Sequence, residues 1–278
     1  QGLAALEAAS SDLAGAPDAA LHVAPVALGF VSPWLRSLRA AGNLKTDKRL
    51  AKQLARIERA YDATYTVPAA LQAELRPYQV AGFEFLARLA QLGAGACLAD
   101  DMGLGKTLMT LAVLLLRGSE GPALIVTPTS VRGNWFDEAL RFAPGLRLLR
   151  AEALTAAELD ALTPFDVLVT SYTLMAQRVE QLERVRFATL VLDEAQTIKN
   201  AATQRARAAC RLVADARVAL TGTPVENHLG DLYVPLRRFV ECRADDLAID
   251  RPLHVRDLFR PLVYEEDEED DIGVVCRY

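Results

Sequence analysis

Histidine is scarce, with three in 278 residues and none at ligand spacing from a cysteine. The four cysteines, Cys97, Cys210, Cys242 and Cys276, lie far apart and form no C-x-x-C pair, so neither a structural zinc nor a disulfide framework is expected. Long apolar runs are lacking too. The longest, LMTLAVLLL at 108–116, has nine residues, against the roughly 20 that a membrane-spanning helix needs. It reads as a buried helix, and no membrane partner is expected. The chain opens on Gln1 with no basic-then-apolar leader, which predicts a cytoplasmic location and a piece of a longer protein. The seven consecutive acids EEDEEDD at 265–271 exceed the whole net charge of −5. The rest of the chain is therefore slightly basic and able to meet a polyanion through local patches.

What is present is 51% hydrophobic and 24% charged residues, the balance of a globular protein with a sizeable core. Residues 1–33 are alanine-rich without a sustained period. From Lys45 a helical wheel sorts Lys45, Lys48, Arg49, Lys52, Arg56 and Arg59 onto one stripe and Leu50, Leu54, Ile57 and Tyr61 onto the opposite one, which predicts an amphipathic helix with a basic back. That back is either a solvated face or an accessory phosphate-contacting one. A mainly helical segment is thus expected over 1–66.

Beyond the hinge-like TVPAA at 66–70 the pattern becomes apolar strand, turn, helix. Strands are expected at 95–100, 123–128, 165–171, 188–194 and 216–222. Helices are expected from about Gly105, through about Arg141, over about 201–214 and over about 229–240. Short apolar strands alternating with helices predict an α/β fold, a parallel sheet covered on both faces, over 67–242. Residues 243–278 should be irregular, because adjacent carboxylates repel one another and prefer solvent.

LADDMGLGKTLMT at 98–110 carries the chemistry. Gly103 and Gly105 allow backbone N–H groups to approach phosphates, Lys106 supplies a cation for the β- and γ-phosphates, and Thr107 offers a hydroxyl to Mg²⁺. Asp100 stands where the plain phosphate-loop pattern has a glycine. LVLDEAQ at 190–196 is an apolar strand ending in two acids. That arrangement suits Asp193 to hold hydrated Mg²⁺ and Glu194 to activate water. There is no N-K-x-D guanine signature, so ATP is the expected nucleotide. In LRPYQ at 75–79, Pro77 can open a helix and the Gln79 amide is able to pair with adenine.

In chain order LRPYQ, DDMGLGKT, TPTSVRGNW (127–135), TSYTL (170–174), DEAQ, IKN (198–200) and ALTGTPVEN (219–227) together resemble the first motor lobe of the Swi/Snf-type helicase-like ATPases of superfamily two, in bacterial form. In that family an acid commonly takes the place of the first glycine, so Asp100 fits. The resemblance implies a RecA-like P-loop fold, ATP and Mg²⁺, and double-stranded DNA as the track. It also implies hydrolysis coupled to translocation or remodelling, with a DNA-bound protein as a further partner and a nucleoid-associated location. Carried over by position, Arg76 and Gln79 would meet the adenine. Asp101, Met102, Gly103, Leu104, Gly105, Lys106, Thr107 and Leu108 would surround the phosphates. Lys106, Asp193 and Glu194 would be catalytic, with Thr107 and Asp193 on the metal. Gln196, Thr221, Gly222 and Thr223 would couple hydrolysis to DNA, which Thr127, Ser130, Asn134, Ser171 and Tyr172 would contact. Trp135 reads as core.

Motors of this type use arginine fingers from a second lobe. Only 38 residues follow Val240, and no Q-x-x-G-R string occurs. A missing finger costs about 10³–10⁵ in rate, so residues 1–278 by themselves are expected to hold ATP weakly and turn it over very slowly. The alternative is a nucleotide-binding or interaction module without motor activity.

Overall fold

The computed structural model describes residues 55, 59–60, 62–93, 95–101, 103–200 and 202–222. The basic helix, most of the 1–66 segment, the 229–240 helix, the acidic tail, Met102 and Thr223 lie outside the described residues.

Six strands make one sheet: β1 (Gly95–Leu98), β2 (Ala123–Thr127), β3 (Arg147–Arg150), β4 (Asp166–Ser171), β5 (Arg186–Leu192) and β6 (Val213–Leu220). Their order is β1-β6-β5-β2-β4-β3, and every pair is parallel. β2 and β4 are buried at every residue, and β5 at all but its first, as strands covered on both faces must be. Helices α1 (Pro77–Leu92), α2 (Lys106–Arg117) and α3 (Arg132–Phe142) form one layer. Phe83, Leu86, Met109, Leu111 and Trp135 from this layer meet alternate strand residues Leu98, Ile125, Val169, Val191 and Val218 in one core. The intervening set, Leu124, Leu168, Leu190 and Leu192, is fully buried as well. On that side α5 (Tyr172–Gln177) packs on β2, β4 and α7 (Gln204–Arg211). Two short helices, α4 (Ala156–Asp160) and α6 (Val179–Leu182), complete the connections.

The expected parallel α/β architecture is found, with two departures. β3 was not anticipated, because RLLR is four residues long with both arginines exposed, and shows neither a continuous apolar run nor a period of two. It survives as an edge strand because Arg147 forms a two-pronged ion pair with the buried Asp166 of β4, both contacts at 2.6 Å. The helix expected over 201–214 is shorter, since Val213 already belongs to β6. Arg217 accounts for the early stop: it is buried in β6 and donates to the carbonyl of Leu212 at 2.5 Å, just past the helix end. A cation there complements the helix dipole.

The carboxyl ends of β1, β2, β4, β5 and β6 feed directly into the motif-bearing segments. Ligands collect at that edge of an open parallel sheet.

Candidate active site

β1 ends at Leu98, and Ala99 to Gly105 turn the chain into α2. Gly103 and Gly105 both take positive φ, +88° and +82°, a conformation that strains any residue with a Cβ. At Gly105 a Cβ would also sit 2.4 Å from the Gln79 side-chain nitrogen, whereas at Gly103 it would meet nothing. The first turn of α2 has no side-chain cap and no acid, which leaves its N–H groups without a capping side chain, as an anion site requires. Lys106 Nζ donates to the carbonyls of Asp100 at 2.5 Å and Asp101 at 2.9 Å. Burial pushes the Lys106 ammonium down, while Asp100, Glu194, Asp193 and Asp101 pull it back up. The loop cation and the acids after β5 therefore share one electrostatic site. These residues fit a nucleotide triphosphate with Mg²⁺, which needs only one or two protein oxygens beside the phosphates. Among the described residues no group of three or more acids, histidines or cysteines forms a self-sufficient metal cage.

Asp100 is 3% exposed, and its Oδ1 has no hydrogen-bond partner. Burial raises its pKa above the ordinary carboxylate value, with Lys106 opposing and Asp101 adding to the shift. Asp101 is exposed, while Leu104, Thr107 and Leu108 are half-buried. Gln79 sits in the first turn of α1. Its Oε1 accepts from the backbone N–H of the exposed Arg76 at 3.0 Å, and its Nε2 donates to the Leu104 carbonyl at 3.2 Å. Both ends of the amide are thus committed to tying α1 to the phosphate loop. Pairing with adenine requires Gln79 to exchange these bonds.

Asp193 follows β5, and its carboxylate accepts from three donors. Its Oδ2 accepts from Thr127 Oγ1 and Trp135 Nε1, both at 2.9 Å, and its Oδ1 accepts from the Glu194 N–H at 3.0 Å. Tyr172 donates to its main-chain carbonyl at 2.7 Å. Sheet register creates this convergence. Val126 pairs with Leu192, so Thr127 comes beside Asp193, and Thr127 pairs with Ser171, so Tyr172 follows on the other side. Burial drives the Tyr172 hydroxyl well above its usual range, and Asp193 and Glu194 add to it. Glu138 on α3 is likewise raised, by burial first and by Asp193 second.

Glu194 adopts left-handed backbone, φ 52° and ψ 54°, a conformation that costs a non-glycine residue about 1–3 kcal/mol and concentrates at functional positions. Its Oε2 accepts from Gln196 Nε2 at 2.6 Å, and Gln196 Oε1 accepts from Thr221 Oγ1 at 2.9 Å. Gln196 and Thr221, expected as coupling residues, are therefore joined to the acid in one chain of hydrogen bonds, with half-buried Gly222 following.

The five residues expected to contact DNA separate into two groups. Ser130 and Asn134 are exposed. Thr127 is fully buried and bonded to Asp193, and Tyr172 is 3% exposed and bonded to the same residue. Ser171 is buried and caps α5 by accepting from the Leu174 N–H. Those three hydroxyls are engaged with the interior in this structure. Trp135, read as core, is core and an acid ligand at once. Nothing in the local sequence signals the second role.

A family model described as the SNF2-related domain matches residues 78–248. The chain belongs to this family. Several members resemble it closely. The putative ATP-dependent helicase/translocase YwqA of Bacillus subtilis is 41% identical over 201 residues, which is 66% of this chain and 21% of that protein. The ISWI chromatin-remodeling complex ATPase CHR17 of Arabidopsis thaliana is 36% identical over 187 residues, 62% of this chain and 17% of that one. The Sulfolobus solfataricus SWI2/SNF2 ATPase core in complex with dsDNA matches at TM-score 0.57 and 37% identity, covering 64% of this chain and 38% of that one. The SNF2-related domain here thus spans about a fifth of the length of those two relatives, and its sheet has the RecA-like fold of the SWI2/SNF2 core.

Proposed function

We propose that this SNF2-related domain is the ATP-binding lobe of a double-stranded-DNA-dependent ATPase that translocates on DNA and remodels protein–DNA complexes, working at the nucleoid. The observation that carries the reading is the shared site of Lys106, Asp193 and Glu194, with the Glu194–Gln196–Thr221 chain leading away from it.

Lys106 and the first turn of α2 bind the phosphates, and Thr107 and Asp193 would hold Mg²⁺. The metal neutralises phosphate charge when bound. Asp193 is held in place by three donors, so it meets the metal without reorganising. Glu194 orients water. Gln196 fixes one carboxylate oxygen and leaves the other for a proton. The exposed Ser130 and Asn134 contact a DNA backbone, a role their hydroxyl and amide suit. The Sulfolobus core, with its DNA, supports the choice of duplex.

The test is nucleotide binding and phosphate release in the longer protein that carries this lobe. DNA-stimulated release should disappear in Lys106→Ala and Glu194→Gln. Residues 1–278 by themselves should bind Mg²⁺-nucleotide weakly and show no appreciable DNA-stimulated release. Stimulated release that survives Lys106→Ala in the longer protein would sink the motor reading.

A further inference from the structure

Two segments with opposite surroundings meet at one carboxylate. The segment 128–134, a turn running into α3, presents Ser130 and Asn134 to solvent, while the residues that bracket it, Thr127 and Trp135, are 0% and 2% exposed and both donate to Asp193 Oδ2 at 2.9 Å. Asn134 and Trp135 are neighbours in the first turn of α3. A displacement of that turn by anything bound to Asn134 therefore moves the indole that holds the acid. A core position with no further duty could be filled by Phe or Leu. Trp here adds an N–H, and a hydrogen bond to a buried carboxylate is charge-assisted and directional.

We infer that Trp135 is a positioning residue: it sets the orientation of the Asp193 carboxylate toward Mg²⁺ and relays occupancy of the 128–134 segment to it. The inference rests on the proposed reading of Asp193 as the metal acid and of Ser130 and Asn134 as the DNA-facing pair. Groups that orient a metal ligand from behind typically carry 10–100-fold in metal affinity. Trp135 and Thr127 occupy that position around Asp193, and they come from the segment whose exposed middle faces outward.

The experiment uses the 278-residue chain and a fluorescent ATP analogue, titrated with and without Mg²⁺ and with and without a short DNA duplex. In the unaltered chain Mg²⁺ tightens nucleotide affinity, and the duplex changes the size of that gain. Trp135→Phe should keep the metal-free affinity within about twofold, since Lys106 and α2 are untouched. It should lose about tenfold of the Mg²⁺-dependent gain and its response to the duplex. Thr127→Val, which removes a donor to the same oxygen at nearly constant volume, should shift the gain in the same direction, and it serves if Trp135→Phe unfolds. The chain has two tryptophans, Trp34 and Trp135, so Trp34→Phe leaves the indole of interest as the sole tryptophan, excited selectively at the red edge of the absorption band. Its emission should change when Mg²⁺-nucleotide is added. A full Mg²⁺-dependent gain and duplex response in both donor variants, or unchanged emission from Trp135, overturns the inference and leaves the proposed function standing. Absence of any Mg²⁺-dependent gain in the unaltered chain overturns both.

Discussion

Thr221 Oγ1 donates to Gln196 Oε1 at 2.9 Å, which ties the end of β6 to the turn that carries Glu194. Gln196 passes the constraint on through its Nε2, 2.6 Å from Glu194 Oε2. Gln196→Ala removes the one side-chain donor to the Glu194 carboxylate among the described residues and leaves the phosphate loop alone. Nucleotide affinity should stay within about twofold, and DNA-stimulated turnover in the longer protein should fall about 10–100-fold, the equivalent of about 1.5–3 kcal/mol for one hydrogen bond to a charged group. Parallel nucleotide titrations and phosphate-release assays separate the two effects.

The loop glycines should respond unequally. Both have positive φ, but only Gly105 faces an obstacle, the Gln79 amide. Gly103→Ala should cost about 1 kcal/mol of backbone strain. Gly105→Ala should cost more, roughly 2–3 kcal/mol, because the Gln79 tether must also shift. Urea denaturation at fixed protein concentration measures the order, and equal costs would show that Gln79 moves aside freely.

Asp100 and Asp166, both buried, should give opposite pH signatures. Burial raises Asp100, so the native state holds its proton longer than the unfolded chain. Its ionisation then subtracts stability as pH rises from the ordinary carboxylate value through its higher folded value. Asp100→Asn should raise Tm at pH 7 and lose that advantage below pH 4. Burial also pushes Asp166 up, but the Arg147 guanidinium and the two Thr163 donors prevail and hold it below the usual range. Its contribution is complete above the unfolded value and disappears as pH falls through the folded one. Asp166→Asn should lower Tm at pH 7 and approach the parent protein in acid. Thermal melts across pH 3.5–7.5 test both signs.

DNA affinity should depend on the exposed residues of the 127–135 segment alone. The double change Ser130→Ala with Asn134→Ala should weaken duplex binding several-fold and evenly across sequences, since phosphate contacts carry no base information. Thr127→Val should leave metal-free duplex affinity unchanged, its hydroxyl being buried on Asp193. Fluorescence anisotropy with two unrelated duplexes at one salt concentration is the measurement.

The Gly103-to-Thr107 cradle, the acid pair and the parallel strands were legible in the sequence because each is specified locally. A positive-φ glycine, a lysine at a helix start or a doubly apolar strand announces its environment within a few residues. β3 was illegible because it depends on an ion pair with Asp166, 19 residues away. The pairing capacity of Gln79 was legible, but its engagement with Leu104, 25 residues away, was not.

The sequence by itself determined which groups the edge of the sheet carries: a glycine turn into a helix, a lysine, two acids and an exposed polar segment. The tertiary structure alone decided what Thr127, Trp135 and Tyr172 do. They stand 66, 58 and 21 residues from Asp193, and they reach it because β2 registers with β5 at Val126 and Leu192 and with β4 at Thr127 and Ser171. Strand register is a property of the whole sheet, fixed by the packing of both its faces. Thr127 and Trp135, which look like a surface contact and plain core in a one-dimensional reading, therefore hold a single carboxylate, and Tyr172 holds the main-chain carbonyl of the same residue.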